Sequence, residues 1–283
     1  MRISLIIPTF NAGPHIENLL SMLCAQDTRP YEMIIVDSSS EDTTVEIARS
    51  FGARTMVIPR HAFNHGKTRN MAAMEAKGDI LVFMTQDASP DRNTLLSSLT
   101  APLHIRDIAA SYGRHLPGTN ASPLEIFARR FNYPETALVK GREDIRAYGI
   151  KTFFFSNVCS AVKRAPFFEA GMFPERVRAN EDMLLAANLI LKGYKISYVP
   201  EARVVHSHNL SLPSQFRRYY RMGSALRQHH WIFRHVGVEG EGVRFIKGQL
   251  SFVLEQRKYH LLPYIFLEFL AKYAGYRIGL ATG

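Results

Sequence analysis

The strongest constraint on the fold is an alternation that fills residues 3–84. Short β-prone runs at 3–7, 33–36, 54–58 and 80–84 are separated by stretches of helical character. In the first of these stretches Ile16, Leu19, Leu20 and Leu23 recur at helical spacing and share one face, and Pro14 suits the first helical position. Strands alternating with helices at this spacing imply a parallel sheet joined by right-handed crossovers. The run Ile80-Leu81-Val82-Phe83-Met84 has no polar residue, as expected of a strand buried on both faces. It stops abruptly at Thr85, Gln86 and Asp87, and Ser89-Pro90 is expected to prevent its continuation. Open α/β sheets bind ligands beyond the carboxyl ends of such strands, so the chemistry is expected here. Taken alone, a solvated turn would read the same way.

Further strands are expected at 108–114, 152–162, 194–199 and 202–205. A helix should follow Asn180, with Asn180 as its cap, Glu181 and Asp182 in its first turn and Gly193 as its stop. The two acids could serve chemistry, or could only complement the helix dipole at about 0.3–1 kcal/mol each. A histidine pair after a strand, His206 and His208, is a polar loop unless carboxylates converge on it. Beyond residue 210 the chain turns to helices rich in Arg, Tyr and His, so an α/β unit over 1–210 and a helical extension over 211–283 are expected. The segment 260–280 mixes Leu, Ile, Phe and Tyr with Glu268, Lys272 and Arg277. It suits a helix lying on an anionic membrane surface rather than one crossing it, with packing on the main domain as the alternative.

Charge narrows the partners. A net charge of +10 on a chain that is 46% hydrophobic and 21% charged describes a globular protein with an anionic partner. Nucleic acid, a nucleotide diphosphate and anionic lipid all qualify, but no basic helix or aromatic sheet motif supports nucleic acid. Gly66-Lys67-Thr68 ends like a phosphate-binding P-loop, yet position 61 is His where that motif needs Gly. What remains is a cationic loop, Arg60, His61, His65, Lys67 and Arg69, near a helix N-terminus that could cradle a diphosphate or simply be solvated. Cys24 and Cys159 lie in apolar segments without metal-type spacing and read as reduced core residues. With no signal-peptide pattern and no long apolar run, a cytoplasmic location is expected.

Five stretches, in order, carry a resemblance: Ser4-Leu5-Ile6-Ile7-Pro8-Thr9-Phe10-Asn11, Ile35-Val36-Asp37-Ser38-Ser39-Ser40-Glu41-Asp42-Thr43, Thr85-Gln86-Asp87-Ala88, Glu181-Asp182 and Val205-His206-Ser207-His208. Over residues 3–210 the chain resembles family 2 glycosyltransferases with the glycosyltransferase-A fold. Its Val-Asp-Ser-Ser-Ser, Asn-His-Gly-Lys-Thr-Arg-Asn and Thr-Gln-Asp-Ala versions look most like the bacterial branch that uses dTDP-rhamnose. The resemblance implies transfer with inversion, from a nucleotide sugar to a hydroxyl of a lipid-linked or polysaccharide acceptor, in cell-surface glycan synthesis at the inner face of the membrane. UDP-galactofuranose or UDP-glucose are the alternative donors. A sugar-phosphate nucleotidyltransferase is a further alternative, but its glycine-rich signature is missing from residues 8–14.

It also implies roles for named residues. Pro8, Thr9, Asn11, Asp37, Ser38, Lys67, Arg69, Thr85 and Gln86 would line the donor site, with Asp37 accepting the imide N–H of the base. Asp87, with His206 or His208, would hold Mg²⁺ or Mn²⁺ against the diphosphate. Asp182 would be the general base, with Glu181 next in line. Thr85 stands where the family usually has the first Asp of Asp-x-Asp, a change compatible with a deoxyribose donor that lacks the 2′-hydroxyl.

Overall fold

A computed structural model describes residues 1–236 and 240–283. The expected alternation is present as β1 (Ile3–Thr9), α1 (Gly13–Cys24), β2 (Glu32–Asp37), α2 (Thr44–Ser50), β3 (Arg54–Val57), α3 (His65–Glu75) and β4 (Ile80–Met84). There follow β5 (Ser89–Pro90), α4 (Leu95–Thr100), β6 (Ile108–Leu116), α5 (Pro123–Asn132), β7 (Leu138–Lys140), α6 (Ile145–Tyr148), β8 (Cys159–Lys163) and α7 (Arg164–Glu169). The chain continues through α8 (Glu181–Leu191), β9 (Lys195–Val205), α9 (Leu212–Gln228), α10 (Glu241–Glu255) and α11 (Leu262–Thr282).

All the described strands join one sheet in the order β3-β2-β1-β4-β8-β6-β9-β5, with β7 on β9. The half built from residues 3–84 is parallel, as the alternation requires. Beyond it the sheet is mixed: β8 runs antiparallel to both β4 and β6, while β6 and β9 run parallel. Successive side chains of a strand point to opposite faces. Ile6 and Phe83 therefore enter one core with Leu185 of α8, and Leu5 and Val82 the other with Leu20 of α1.

Two expectations about elements are corrected. Residues 152–162 are not one strand; 149–153 form a 3-10 turn and only Cys159–Lys163 pairs. The cause is Lys140, whose Nζ donates to the Lys151 and Phe154 carbonyls at 3.1 and 2.7 Å and gathers that segment around itself. Residues 194–199 and 202–205 are one strand, because Pro200, which has no N–H to give a ladder, falls where the β6–β9 register shifts. As expected, β4 ends at Met84, and Ser89-Pro90 pairs separately as a two-residue strand against β9.

The extension is docked on the main domain, since Ala225, Leu226, Ile232 and Val236 are buried in its core. The α9 and α11 helices approach so closely that a Cβ on Gly275 would strike the Phe216 carbonyl, and one on Gly279 the Tyr220 carbonyl. We expect Gly279→Val to force the pair apart, costing about 1–3 kcal/mol and lowering the melting temperature. Gly242→Ala, in open space on α10, should not lower it. No described helix is long and apolar enough to cross a membrane.

Candidate active site

The sheet gathers the chemistry on one edge. β1, β2 and β4 end there, with Thr9 beside Asp37 in the β1–β2 register. The reversal of β8 pairs Cys159 with Met84 and so brings Asn157 to the same edge. β6 and β9 end there too, with Leu116 beside Val205, the residue before His206.

At the β1–β2 end, Asp37 is fully buried. Its Oδ1 accepts from Thr9 Oγ1 at 2.9 Å and Ser40 Oγ at 2.5 Å, and its Oδ2 from Ser40 N at 2.7 Å. A carboxylate has about four lone-pair positions, so one on Oδ2 is left. Ser38 is buried with an unpartnered hydroxyl, and the buried Thr85 Oγ1 lies near Asp87, whose ionised form it favours. Pro8 is buried within β1. Two residues placed at the donor site by sequence also hold loops. Asn11, in the left-handed region at φ 46°, accepts from Glu41 N at 3.0 Å. The Gln86 amide accepts from Phe10 N at 2.7 Å and donates to Phe10 O at 3.1 Å, which ties the loop after β4 to the loop after β1.

The cationic loop also divides. Lys67 is exposed in the first turn of α3, but Asn64 Oδ1 already accepts from Gly66 N and Lys67 N at 2.9 and 3.0 Å. Those helix-terminal amides are therefore occupied. Arg69 turns inward, 2% exposed, and its guanidinium lies 3.6 Å from Glu181 Oε1.

Glu181 and Asp182 diverge, as successive helical residues must. Glu181 is buried against Arg69 and accepts from Asn157 Nδ2 at 3.4 Å. Asp182 accepts from Asn157 N at 3.2 Å and Met183 N at 2.8 Å. No cation pairs with it among the described residues. Burial first, then the Glu181 carboxylate, push Asp182 up to about 7, against the two backbone hydrogen bonds and Arg69. Asn180 does not cap this helix with its side chain. It sits left-handed at φ 62°, its Nδ2 buried and unpartnered, while its carbonyl accepts from Leu184 N at 3.0 Å.

Beyond β4, Asp87 Oδ2 lies 3.0 Å from His208 Nε2 and Oδ1 lies 3.5 Å from His206 Nε2, with the two Nε2 atoms 3.1 Å apart. Their donor atoms all lie within 4.8 Å of one another. Burial opposes ionisation of Asp87, but hydrogen bonds from both imidazoles hold it well below the usual carboxylate range. Burial keeps His206 below its ordinary value despite the pull of Asp87, so its ring can offer a lone pair. One ionised carboxylate and two imidazoles converging on one point fit a divalent cation.

Behind this cluster stands a residue that the sequence reading missed. His115, at the end of β6, is 2% exposed, stacks on Tyr133 at 3.9 Å and meets His206 edge-on at 5.6 Å. Its Nδ1 is 3.2 Å from Arg129, which Glu125 holds at 2.6 Å. Glu125 Oε1 also accepts from His208 N at 3.4 Å, so α5 braces the histidine turn. The only sequence signal was a histidine near the carboxyl end of a strand.

A carboxylate and two imidazoles placed to hold a cation, with one carboxylate free of any cation partner at the same sheet edge, suit an enzyme that transfers a group from a nucleotide diphosphate donor. Comparison with known proteins makes this specific. Residues 4–169 match the sequence model of Glycosyl transferase family 2, and the chain belongs to that family. It is 40% identical over 279 residues to the O-antigen chain rhamnosyltransferase WbaN of Salmonella anatum, covering 98% of this chain and 88% of the relative. The O-antigen chain rhamnosyltransferase RfbN of Salmonella typhimurium is also 40% identical, over 282 residues, covering 99% and 90%. Among solved structures, a Pyrobaculum calidifontis mannosyltransferase in complex with GDP-Man and Mn²⁺ superposes with TM-score 0.61 at 21% identity, covering 100% of this chain and 76% of that one. Staphylococcus aureus TarS 1-349 with UDP-GlcNAc gives 0.60 at 17%, covering 100% and 91%. The fold is the glycosyltransferase-A, nucleotide-diphospho-sugar transferase fold.

Proposed function

We propose that this enzyme moves rhamnose from dTDP-rhamnose, with inversion, to a hydroxyl of a growing, lipid-linked O-antigen-type polysaccharide at the cytoplasmic face of the membrane. The observation that carries the sugar and the product class is the 40% identity, over nearly the whole chain, to two O-antigen chain rhamnosyltransferases. The observation that supports inversion is the inequality of the two carboxylates. Glu181 is spent on Arg69, so Asp182 alone is free, and a single in-line displacement needs only one.

In this reading Asp182 takes the proton of the acceptor hydroxyl as its oxygen attacks the anomeric carbon. Asn157 fixes the direction of that carboxylate through its backbone N–H, and the Glu181–Arg69 pair keeps the helix start in place. The remaining Oδ2 lone pair of Asp37 receives the thymine imide N–H, with Pro8, Thr9 and Ser38 walling the base. Lys67 reaches the diphosphate. Mg²⁺ or Mn²⁺, held by Asp87, His206 and His208, would neutralise charge developing on the leaving diphosphate. Thr85, with a hydroxyl in place of a carboxylate, suits a deoxyribose. We read residues 1–210 as the catalytic domain and 211–283 as its extension.

Titration calorimetry with Mn²⁺ present tests the donor. dTDP is expected to bind at least as tightly as UDP, and both at least tenfold more tightly than GDP or ADP. A purine preference, or transfer of glucose or galactofuranose from UDP in preference to rhamnose from dTDP, would remove this reading.

A further inference from the structure

Away from the sheet edge lies a cleft of about 1080 Å³, between the 142–150 segment, the chain around Phe233–Val236 and the end of α11. Five arginines line it: Arg142, Arg146, Arg234, Arg244 and Arg277. Its two acids are already held, Glu143 by Lys195 at 3.2 Å and Glu241 by Lys151 at 2.8 Å and Arg244 at 3.0 Å. Among the described residues no carboxylate pairs with Arg142, Arg146, Arg234 or Arg277. Concentrating like charge in one cleft costs free energy unless an anion relieves it. Arginine forks also match phosphate oxygens geometrically.

The walls are not polar throughout. Tyr148, Phe233, Tyr276 and Leu280 contribute apolar surface. On α11, positions 266, 270, 273 and 277 follow at four, three and four residues and so share a face. Phe266 is 60% exposed, Leu270 43% and Tyr273 54%, and this stripe runs directly into Arg277 at the cleft mouth. An exposed apolar stripe leading into an arginine-lined cleft matches one kind of ligand, an anion with an apolar tail.

We propose that this cleft binds the phosphate-bearing headgroup of a membrane lipid, while the Phe266–Leu270–Tyr273 stripe of α11 rests in the acyl boundary. The proposal does not depend on the sugar-transfer reading, which uses the opposite group of residues at the sheet edge.

Flotation of the full chain with vesicles tests it. Binding to vesicles of phosphatidylglycerol and phosphatidylcholine should exceed binding to phosphatidylcholine alone at least tenfold, and the gap should shrink as salt rises. Arg146→Glu with Arg277→Glu should remove the preference, whereas Arg→Lys at both should keep only part of it, because an ammonium cannot form the guanidinium's paired hydrogen bonds. Arg277→Gln alone should give a several-fold loss, which preserves the test if the charge-reversed protein melts early. Phe266→Ser with Tyr273→Ser should weaken flotation at least tenfold, with nucleotide binding unchanged. A charge-reversed protein that floats like wild type overturns the proposal. So does inorganic pyrophosphate binding that needs these arginines while the serine variant still floats normally, because the ligand is then a free polyphosphate. A solution dimer that Phe266→Ser dissolves would assign the stripe to a second copy, and overturns it as well.

Discussion

Asp182→Asn is expected to slow transfer by roughly 10²–10⁴ while leaving donor affinity within a few-fold. The asparagine keeps the side-chain size and one oxygen, so it can still accept from Asn157 N, now 3.2 Å away, while Met183 N, now 2.8 Å from the other carboxylate oxygen, loses its acceptor. What it loses is the ability to take a proton from the acceptor. The pH profile provides an independent reading. Burial and Glu181 raise Asp182 to about 7, so kcat/KM should climb as pH rises through about 7 and level off above it, because only the ionised carboxylate is a base. The variant should lose that limb. Stability should move the other way. A carboxyl whose native pKa is raised above its ordinary 3.8 makes folding less favourable as pH climbs from that value to about 7. Removing the group removes this penalty, so above pH 7 the variant should melt no lower than wild type. Normal turnover in Asp182→Asn would return Glu181 and Asp182 to the role of helix-dipole complements.

The parallel half of the sheet and the ends of β1, β2 and β4 were legible because burial on two faces leaves uninterrupted apolar runs and the turns between them are abrupt. The two carboxylates could be expected to diverge because helix geometry alone forbids them a common direction. Which partner each one takes was not legible. Arg69 and Glu181 are 112 residues apart in sequence but 3.6 Å apart in space, and local pattern carries no trace of such a meeting. Nor does sequence show what Arg69 and Gln86, both expected at the donor site, touch within the fold. The fold spends one on Glu181 and the other on Phe10. Residues 152–162 were misread for a related reason. Aromatic and β-branched residues favour strands, yet Lys140, from a three-residue strand with no periodicity of its own, draws the Lys151 and Phe154 carbonyls inward. His115 escaped notice because a lone histidine in a strand is ordinary until the ring of His206 is seen against it.

Asp87→Asn is expected to abolish divalent-cation binding, and with it nucleotide binding that depends on the cation. The site has one carboxylate and two imidazoles, so the substitution takes away its only negative charge while leaving both histidines in place. Amide oxygen is a weaker ligand for a hard cation than carboxylate oxygen. Paramagnetic titration with Mn²⁺ should show at least a hundredfold loss of affinity, and dTDP should bind the variant equally with and without metal. His206→Ala should approach the same loss. Glu125→Ala should cost less, about 10–100-fold, because Glu125 reaches the cluster indirectly, through the His208 N–H, the Ser207 hydroxyl and Arg129. The contrast with Asp182→Asn separates the two halves of the reaction: one variant binds metal and donor but does not transfer, while the other fails before transfer begins. Full Mn²⁺ affinity in Asp87→Asn would reduce the Asp87, His206 and His208 contacts to an ordinary ion pair on a surface turn. The charge on the leaving diphosphate would then have to be met by exposed cations such as Lys67.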